Sequence, residues 1–117
     1  MCPTVWIYLG EIYRLQEETP WPTLSMVADA MGVSLQAASR MIRRMVENGT
    51  IEHEPYKGVR LTPAGEAIAL QVIRRHRILE AFLVQVMGFG WEEVHEMVET
   101  LERGVPEPLG ERMDAMA

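Results

Sequence analysis

The stretch TLSMVADAMGVSLQAASRMIRRMVENG, residues 23–49, decides the fold. Thr23 or Ser25 can cap a short helix that runs through Met31, and Gly32 ends it with a residue that tolerates a left-handed backbone. Ser34 then caps a second helix that runs to Asn48-Gly49, so the unit reads as helix, Gly-containing turn, helix: the spacing of a helix-turn-helix. Within the second helix Ala38, Met41, Ile42, Met45 and Val46 recur at i, i+3, i+4, i+7 and i+8 and should pack inward. Gln36, Arg40, Arg43 and Glu47 share the opposite face, at roughly 100° per residue.

Working outward, residues 4–18 place Val5, Leu9, Ile12 and Leu15 at helical spacing and stop before Thr19-Pro20-Trp21-Pro22, where two prolines block continuation. After Gly49, residues 50–54 read as a strand, Pro55-Tyr56-Lys57-Gly58 as a turn and Val59-Arg60-Leu61 as a returning strand, which together make a wing. Thr62-Pro63-Ala64-Gly65-Glu66 opens a long helix expected to reach Met87. Gly88-Phe89-Gly90 interrupts it, a further helix covers residues 91–102, and Pro106 and Pro108 start a last helical piece. The expected architecture is mainly α with a small β-hairpin wing. A winged helix-turn-helix domain, residues 1–74, is followed by a helical dimerisation and metal-binding domain, residues 75–117.

The composition narrows the function classes. The 117-residue chain is 48% hydrophobic and 24% charged, an ordinary globular balance. It has no apolar run of membrane-spanning length and no leader pattern at its start, so a cytoplasmic (bacterial) protein is expected. The single cysteine, Cys2, excludes an internal disulfide and any cysteine-based zinc finger. No nucleophile and base pair, phosphate loop or open zinc motif is visible, which argues against an enzyme.

The net charge of −6 hides a strong asymmetry. Residues 34–77 hold eight of the eleven Lys and Arg residues against four acidic ones, which leaves three basic and thirteen acidic residues elsewhere. Phosphate binding needs such a local positive field. Gln36, Arg40 and Arg43 can present paired donors and acceptors to base edges, and Ala37 is small enough to approach a thymine methyl. Ser34 and Ser39 are candidates for phosphate contacts, beside the positive end of their helix. Lys57 and Arg60 on the wing would reach backbone or minor groove. A Gln/Arg face on an arbitrary helix is more often only solvated. Here it follows a helix-turn-helix turn, precedes a basic hairpin and lies in the net-basic part of an acidic chain, which favours DNA.

Residues 78–102 carry six carboxylates and no Lys or Arg. His76 and Glu80 stand one turn apart on the long helix beside an apolar stripe, and His95, Glu99 and Glu102 follow at i, i+4 and i+7 on the next. Taken singly each has an ordinary reading: His76 lies among Arg74, Arg75 and Arg77, and Glu92, Glu93 and Glu96 look like a solvated face. Jointly, two His/Glu pairs on consecutive helices fit a divalent cation, because clustered carboxylates near apolar surface repel one another until a cation or protons intervene. An N/O donor set suits Mn²⁺, Fe²⁺, Co²⁺, Ni²⁺ or Zn²⁺, with its carboxylate weight toward Mn²⁺ or Fe²⁺. Leu79, Leu83, Val86, Trp91 and Val98 form an apolar stripe read as a homodimer surface, on the reasoning that two helices alone cannot bury it.

YLGEIYRL (8–15), VADAMGVSLQAASRMIRRM (27–45), EHEPYKGVRLTPAGEAIA (52–69), RRHRILEAFLVQVMG (74–88) and VHEMVETLE (94–102) resemble the diphtheria-toxin-repressor and manganese-transport-regulator family over most of the chain. The resemblance implies a Mn²⁺- or Fe²⁺-activated dimeric repressor of metal-homeostasis genes that binds palindromic operator DNA. It also implies that His76, Glu80 and His95 form an ancillary metal site and that Glu99 and Glu102 belong to a primary one. Two positions depart from the pattern. Ile7 stands where the family's first helix supplies a Met or carboxylate ligand, and Arg103 stands where a His follows Glu102. Ile cannot bind metal, and Arg103 offers an ion pair where a cation would sit. Family members extend further, many into an SH3-like domain, so a truncated or short relative is expected. Two rival readings remain: a winged-helix regulator without metal control, and an interaction or metal-buffering module that never touches DNA.

Overall fold

The structure is a computed structural model that describes residues 3–101, 112, 115 and 116. It is mainly helical: α1 (Pro3–Gln16), α2 (Leu24–Met31), α3 (Leu35–Glu47), strands β1 (Ile51–Glu54) and β2 (Gly58–Leu61), α4 (Pro63–Ala81), a π-helical turn over Phe82–Val86, and α5 (Trp91–Leu101). The expected last helical piece from Pro106 lies outside the described residues. The chain divides into two compact units, Met1–Val72 and Ile73–Ala117.

In the first unit, Val5, Tyr8, Leu9 and Ile12 line one face of α1 and bury against Val27, Ile42, Met45, Ile51, Val59, Leu61 and Ala69. Removing side chains of this size from water contributes roughly 1.5–3 kcal/mol each. Burial also pushes the Tyr8 phenol up from its ordinary pKa of 10.0, because the phenolate would lose its hydration. Thr23 caps α2, its hydroxyl accepting from the Met26 amide at 3.2 Å, and Gly32 closes it at φ 66°. That left-handed residue turns the chain sharply enough for Ser34 to cap α3, its Oγ accepting from the Ala37 amide at 3.1 Å.

The inward face of α3 is as expected at Ala38, Ile42 and Met45, all buried, with Met41 half-buried. Val46 is the exception, 42% exposed. At roughly 100° per residue it sits about 80° round from Ala38, at the rim of the stripe.

The hairpin pairs Ile51 with Leu61, Glu52 with Arg60, His53 with Val59 and Glu54 with Gly58. Two backbone amides tie it to the end of α1 and the segment before α2, and a third closes its open end. The Val59 amide donates to the Pro22 carbonyl at 2.8 Å. The Leu61 amide donates to the Gln16 side-chain carbonyl at 2.8 Å. The Thr62 amide donates to the Thr50 carbonyl at 3.1 Å. At the start of α4 the backbone approaches so closely that a Cβ on Gly65 would lie 2.1 Å from the Thr50 carbonyl oxygen. Both partners are backbone, so neither can rotate away. Gly65→Ala should therefore cost about 2–3 kcal/mol, seen as a lower denaturation midpoint at unchanged slope; a midpoint equal to wild type would contradict this close approach.

In the second unit, Leu79, Leu83, Val94 and Val98 form a separate small core, with Val84, Phe89 and Met97 packed on it. The helix expected to reach Met87 instead ends its α-geometry at Ala81 and widens by one π turn, closed by the Met87 amide donating to the Phe82 carbonyl at 3.2 Å. In an unbroken α-helix Val86 would follow Leu79 on the same face at i+7. The wider turn lags in rotation, and Val86 emerges 44% exposed.

Candidate metal centre and nucleic-acid interface

The second core brings the end of α4 and the start of α5 together, and the polar residues at its margin converge. His76, Glu80 and His95 each offer one ligand atom, and these atoms all lie within 4.8 Å of one another. His76 Nε2 is in direct contact with Glu80 Oε1, one helical turn away. The His76 and His95 rings stand edge to face, 6.3 Å between centroids and 68° between planes. His76 and Glu80 are largely withdrawn from water, with side chains 12% and 24% exposed, whereas His95 lies on the solvent side. Leu79 and Leu83 on one helix and Val94 and Val98 on the other fix the helix pair, and through it the three donors.

Two imidazole nitrogens and a carboxylate oxygen form a mixed N/O set that fits a first-row divalent cation, and a single chain supplies all three. Of the other expected ligands, Glu99 lies on α5 one turn past His95 with its side chain outside the described residues. Glu102 and Arg103 also lie outside them. Ile7 is a half-buried residue of α1.

The apolar stripe needs a correction. Leu79, Leu83 and Val98 are 2%, 5% and 0% exposed within the single chain, because α4, its π turn and α5 bury them against one another. The premise that two helices could not bury this stripe alone does not hold. Val86 and Trp91 do remain exposed, Trp91 at 64%, and Met87 joins them at 56%.

The outward face of α3 presents Gln36, Arg40 and Arg43 to solvent, with Ala37 and Ser39 half-buried beside them. Ser34 is exposed and its hydroxyl oxygen is engaged in the helix cap. Gln36, Ser39, Arg40 and Arg43 line an open hollow of about 670 Å³ together with Thr23, Leu24, Ser25 and Leu35. The last four were not singled out from sequence as part of this surface. Leu35 is apolar in the first turn of α3, at the rim of the inward stripe, and half exposed.

On the wing, Lys57 and Arg60 are exposed, but Arg60 is engaged within the protein. Its Nη2 donates to Glu52 Oε2 at 2.8 Å across the hairpin, and its guanidinium lies 4.4 Å from the centre of the Trp21 ring. The Lys57 ammonium is 5.5 Å from the same ring. Trp21, from the Pro-Trp-Pro segment between α1 and α2, is thus a platform for both wing cations.

Comparison with known proteins gives a consistent result. Residues 3–59 match the family described as "Iron dependent repressor, N-terminal DNA binding domain", and residues 62–117 match "Iron dependent repressor, metal binding and dimerisation domain". The chain is 34% identical over 110 residues to the iron-dependent repressor IdeR of Mycobacterium tuberculosis, covering 94% of this chain and 48% of that one. It is 31% identical over 100 residues to the transcriptional regulator MntR of Bacillus pumilus, covering 86% of this chain and 69% of the relative. Among solved structures, the metal-dependent transcriptional regulator MtsR superposes with a TM-score of 0.89 at 37% identity, over 99% of this chain and 54% of that one. A manganese-dependent transcriptional repressor in complex with manganese superposes with a TM-score of 0.85 at 40% identity, over 96% and 51%. The chain spans about half the length of the iron-dependent repressors it matches.

Proposed function

The chain belongs to the iron-dependent repressor family, the group that includes the diphtheria toxin repressor, IdeR and MntR, and from that premise we propose that it is a metal-dependent transcriptional repressor whose homodimer binds palindromic operator DNA. Residues 1–74 read the DNA, and residues 75–117 bind metal and dimerise. The protein works in the bacterial cytoplasm, on metal-homeostasis genes, and is not an enzyme. Among the described residues no helix is long and apolar enough to cross a membrane.

The observation that carries this reading is the convergence of His76, Glu80 and His95 within 4.8 Å on two consecutive helices. A divalent cation of the Mn²⁺ or Fe²⁺ class would supply the positive charge that holds these donors in one arrangement. The residues do the rest. Glu80 contributes the hard oxygen, and its contact with His76 holds both side chains against the margin of the small core. His95 brings the second helix to the same point, so ligation couples α4 to α5. Glu99 and Glu102 are the candidate ligands of a further site.

DNA reading falls to α3. Gln36, Arg40 and Arg43 face base edges, Ala37 and Leu35 offer apolar contact to thymine methyls, and Ser34 and Ser39 lie where phosphates pass. Lys57 extends the basic surface onto the wing. Arg60 serves first to brace the wing through Glu52 and Trp21. Val86, Met87 and Trp91 are among the exposed apolar side chains of the second unit available to meet a second copy.

Duplex selected by the protein from a randomised DNA pool in the presence of Mn²⁺ tests the function. Retention of that duplex in a mobility assay should require Mn²⁺ or Fe²⁺ and disappear with chelator. Equal retention with and without metal would leave a constitutive winged-helix regulator, and no retention under either condition would remove the DNA-binding reading.

A further inference from the structure

The tip of the wing carries a side chain that the fold gives no reason to place there. The Lys57 amide donates to the Glu54 carbonyl at 3.1 Å, closing a four-residue turn with Pro55 and Tyr56 at its centre. Proline fixes the first central residue at negative φ, and Tyr56 follows at φ 66°, the pattern of a type II turn. That second position belongs by preference to Gly or Asn, because any other side chain there crowds its own backbone. Among the described non-glycine residues Tyr56 alone has positive φ. Strain of this kind is ordinarily offset by contacts, yet the Tyr56 ring is wholly exposed, at 108% of the reference value. It covers no core and repays none of the cost within the chain.

Its surroundings identify what would meet it. Lys57 is the next residue, its ammonium 5.5 Å from the Trp21 ring, and Arg60 lies on that ring with its charge shared with Glu52. The wing tip thus carries a fully exposed aromatic ring next in sequence to a cation that lies near the Trp21 ring. An amphipathic ring beside a cation fits a sugar–phosphate edge: the ring packs on deoxyribose while the cation meets phosphate.

We propose that Tyr56 is a DNA contact of the wing, presented to the sugar–phosphate edge of the operator beside the groove that α3 enters. This inference rests on the DNA-binding reading above and adds to it a residue whose strain is retained for the partner rather than for the fold.

The test compares wild type, Tyr56→Gly and Lys57→Ala for thermal stability and for binding, by fluorescence anisotropy with Mn²⁺ across a salt series, to the duplex selected by wild type from a randomised pool. Tyr56→Gly should melt at or above the wild-type midpoint and bind about five- to tenfold more weakly, with the wild-type salt dependence. Lys57→Ala should weaken binding and make the salt dependence shallower by about one ion. Wild-type affinity in Tyr56→Gly would overturn the proposal while leaving DNA binding intact. A clearly lowered melting midpoint would overturn it by showing that the ring serves the fold. A salt slope reduced as in Lys57→Ala would overturn it by tracing the loss to a displaced lysine. Wild-type protein that selects no duplex would overturn this inference and the DNA-binding reading together.

Discussion

His76→Ala lowers the affinity of the chain for Mn²⁺ by about a hundredfold or more. His76 is the least exposed of the three converging donors, its Nε2 touches Glu80, and its ring meets that of His95. Removing it deletes one ligand and leaves the other two without the group that holds them in position; even loss of a residue that only orients a ligand costs 10–100-fold. Glu80→Gln should act in the same direction, since the amide keeps the shape and loses the charge. Glu92→Gln, an exposed carboxylate in the first turn of α5, should leave affinity unchanged. Calorimetric titration reads these affinities directly, and thermal unfolding provides an independent check. At a free Mn²⁺ concentration of 100 times Kd, wild type should gain about 2.7 kcal/mol of stability, and His76→Ala little. Equal Mn²⁺ affinity in the two proteins would show that the cation binds elsewhere.

Combined replacement of Arg40 and Arg43 by alanine reduces operator affinity by roughly 2–4 kcal/mol, a factor of about 30 to 1,000, at unchanged metal affinity. Both side chains are exposed on the outward face of α3 and line its hollow with Gln36 and Ser39. Neither takes part in the core that α3 builds from Ala38, Ile42 and Met45. Folding stability should therefore stay within about 0.5 kcal/mol of wild type. Arg14→Ala is the control for charge elsewhere on the surface: it removes one positive charge from α1, where Arg14 pairs with Glu11 at 2.9 Å, and should leave operator binding nearly unaltered. Anisotropy with the selected duplex measures all three. If the double variant binds as wild type does, α3 is not the reading helix.

Much of this architecture is legible in the sequence because local chemistry and long-range packing agree. The turn between α2 and α3 needs a left-handed residue and a cap, and Gly32 and Ser34 supply them at the spacing the motif requires. The His76 and Glu80 pair is legible because residues four apart on a helix share a face. What joins His95 to them is the packing of Leu79 and Leu83 on Val94 and Val98, which periodicity shows only as two apolar stripes.

The same ambiguity explains the corrected part of the dimer surface. An apolar stripe facing a neighbouring helix of its own chain has the same sequence pattern as one facing a second copy. The π turn at Phe82–Val86 is invisible for a related reason: a change in hydrogen-bond ring size leaves no compositional mark. The engagement of Arg60 is partly visible, since a cross-strand Glu52 partner follows from hairpin register. Trp21 is not, because it reaches the ring-to-cation contact from a segment about forty residues earlier whose path depends on the Pro22 carbonyl accepting from Val59.

The central claim is that metal and operator binding are linked through one protein, and linkage is reciprocal. The decisive measurement is the Mn²⁺ affinity of the wild-type chain with and without the selected duplex, set beside its duplex affinity with and without Mn²⁺. The two ratios should be equal and well above one. A ratio of one in both directions, with each ligand still binding alone, would contradict metal-controlled DNA recognition by this protein.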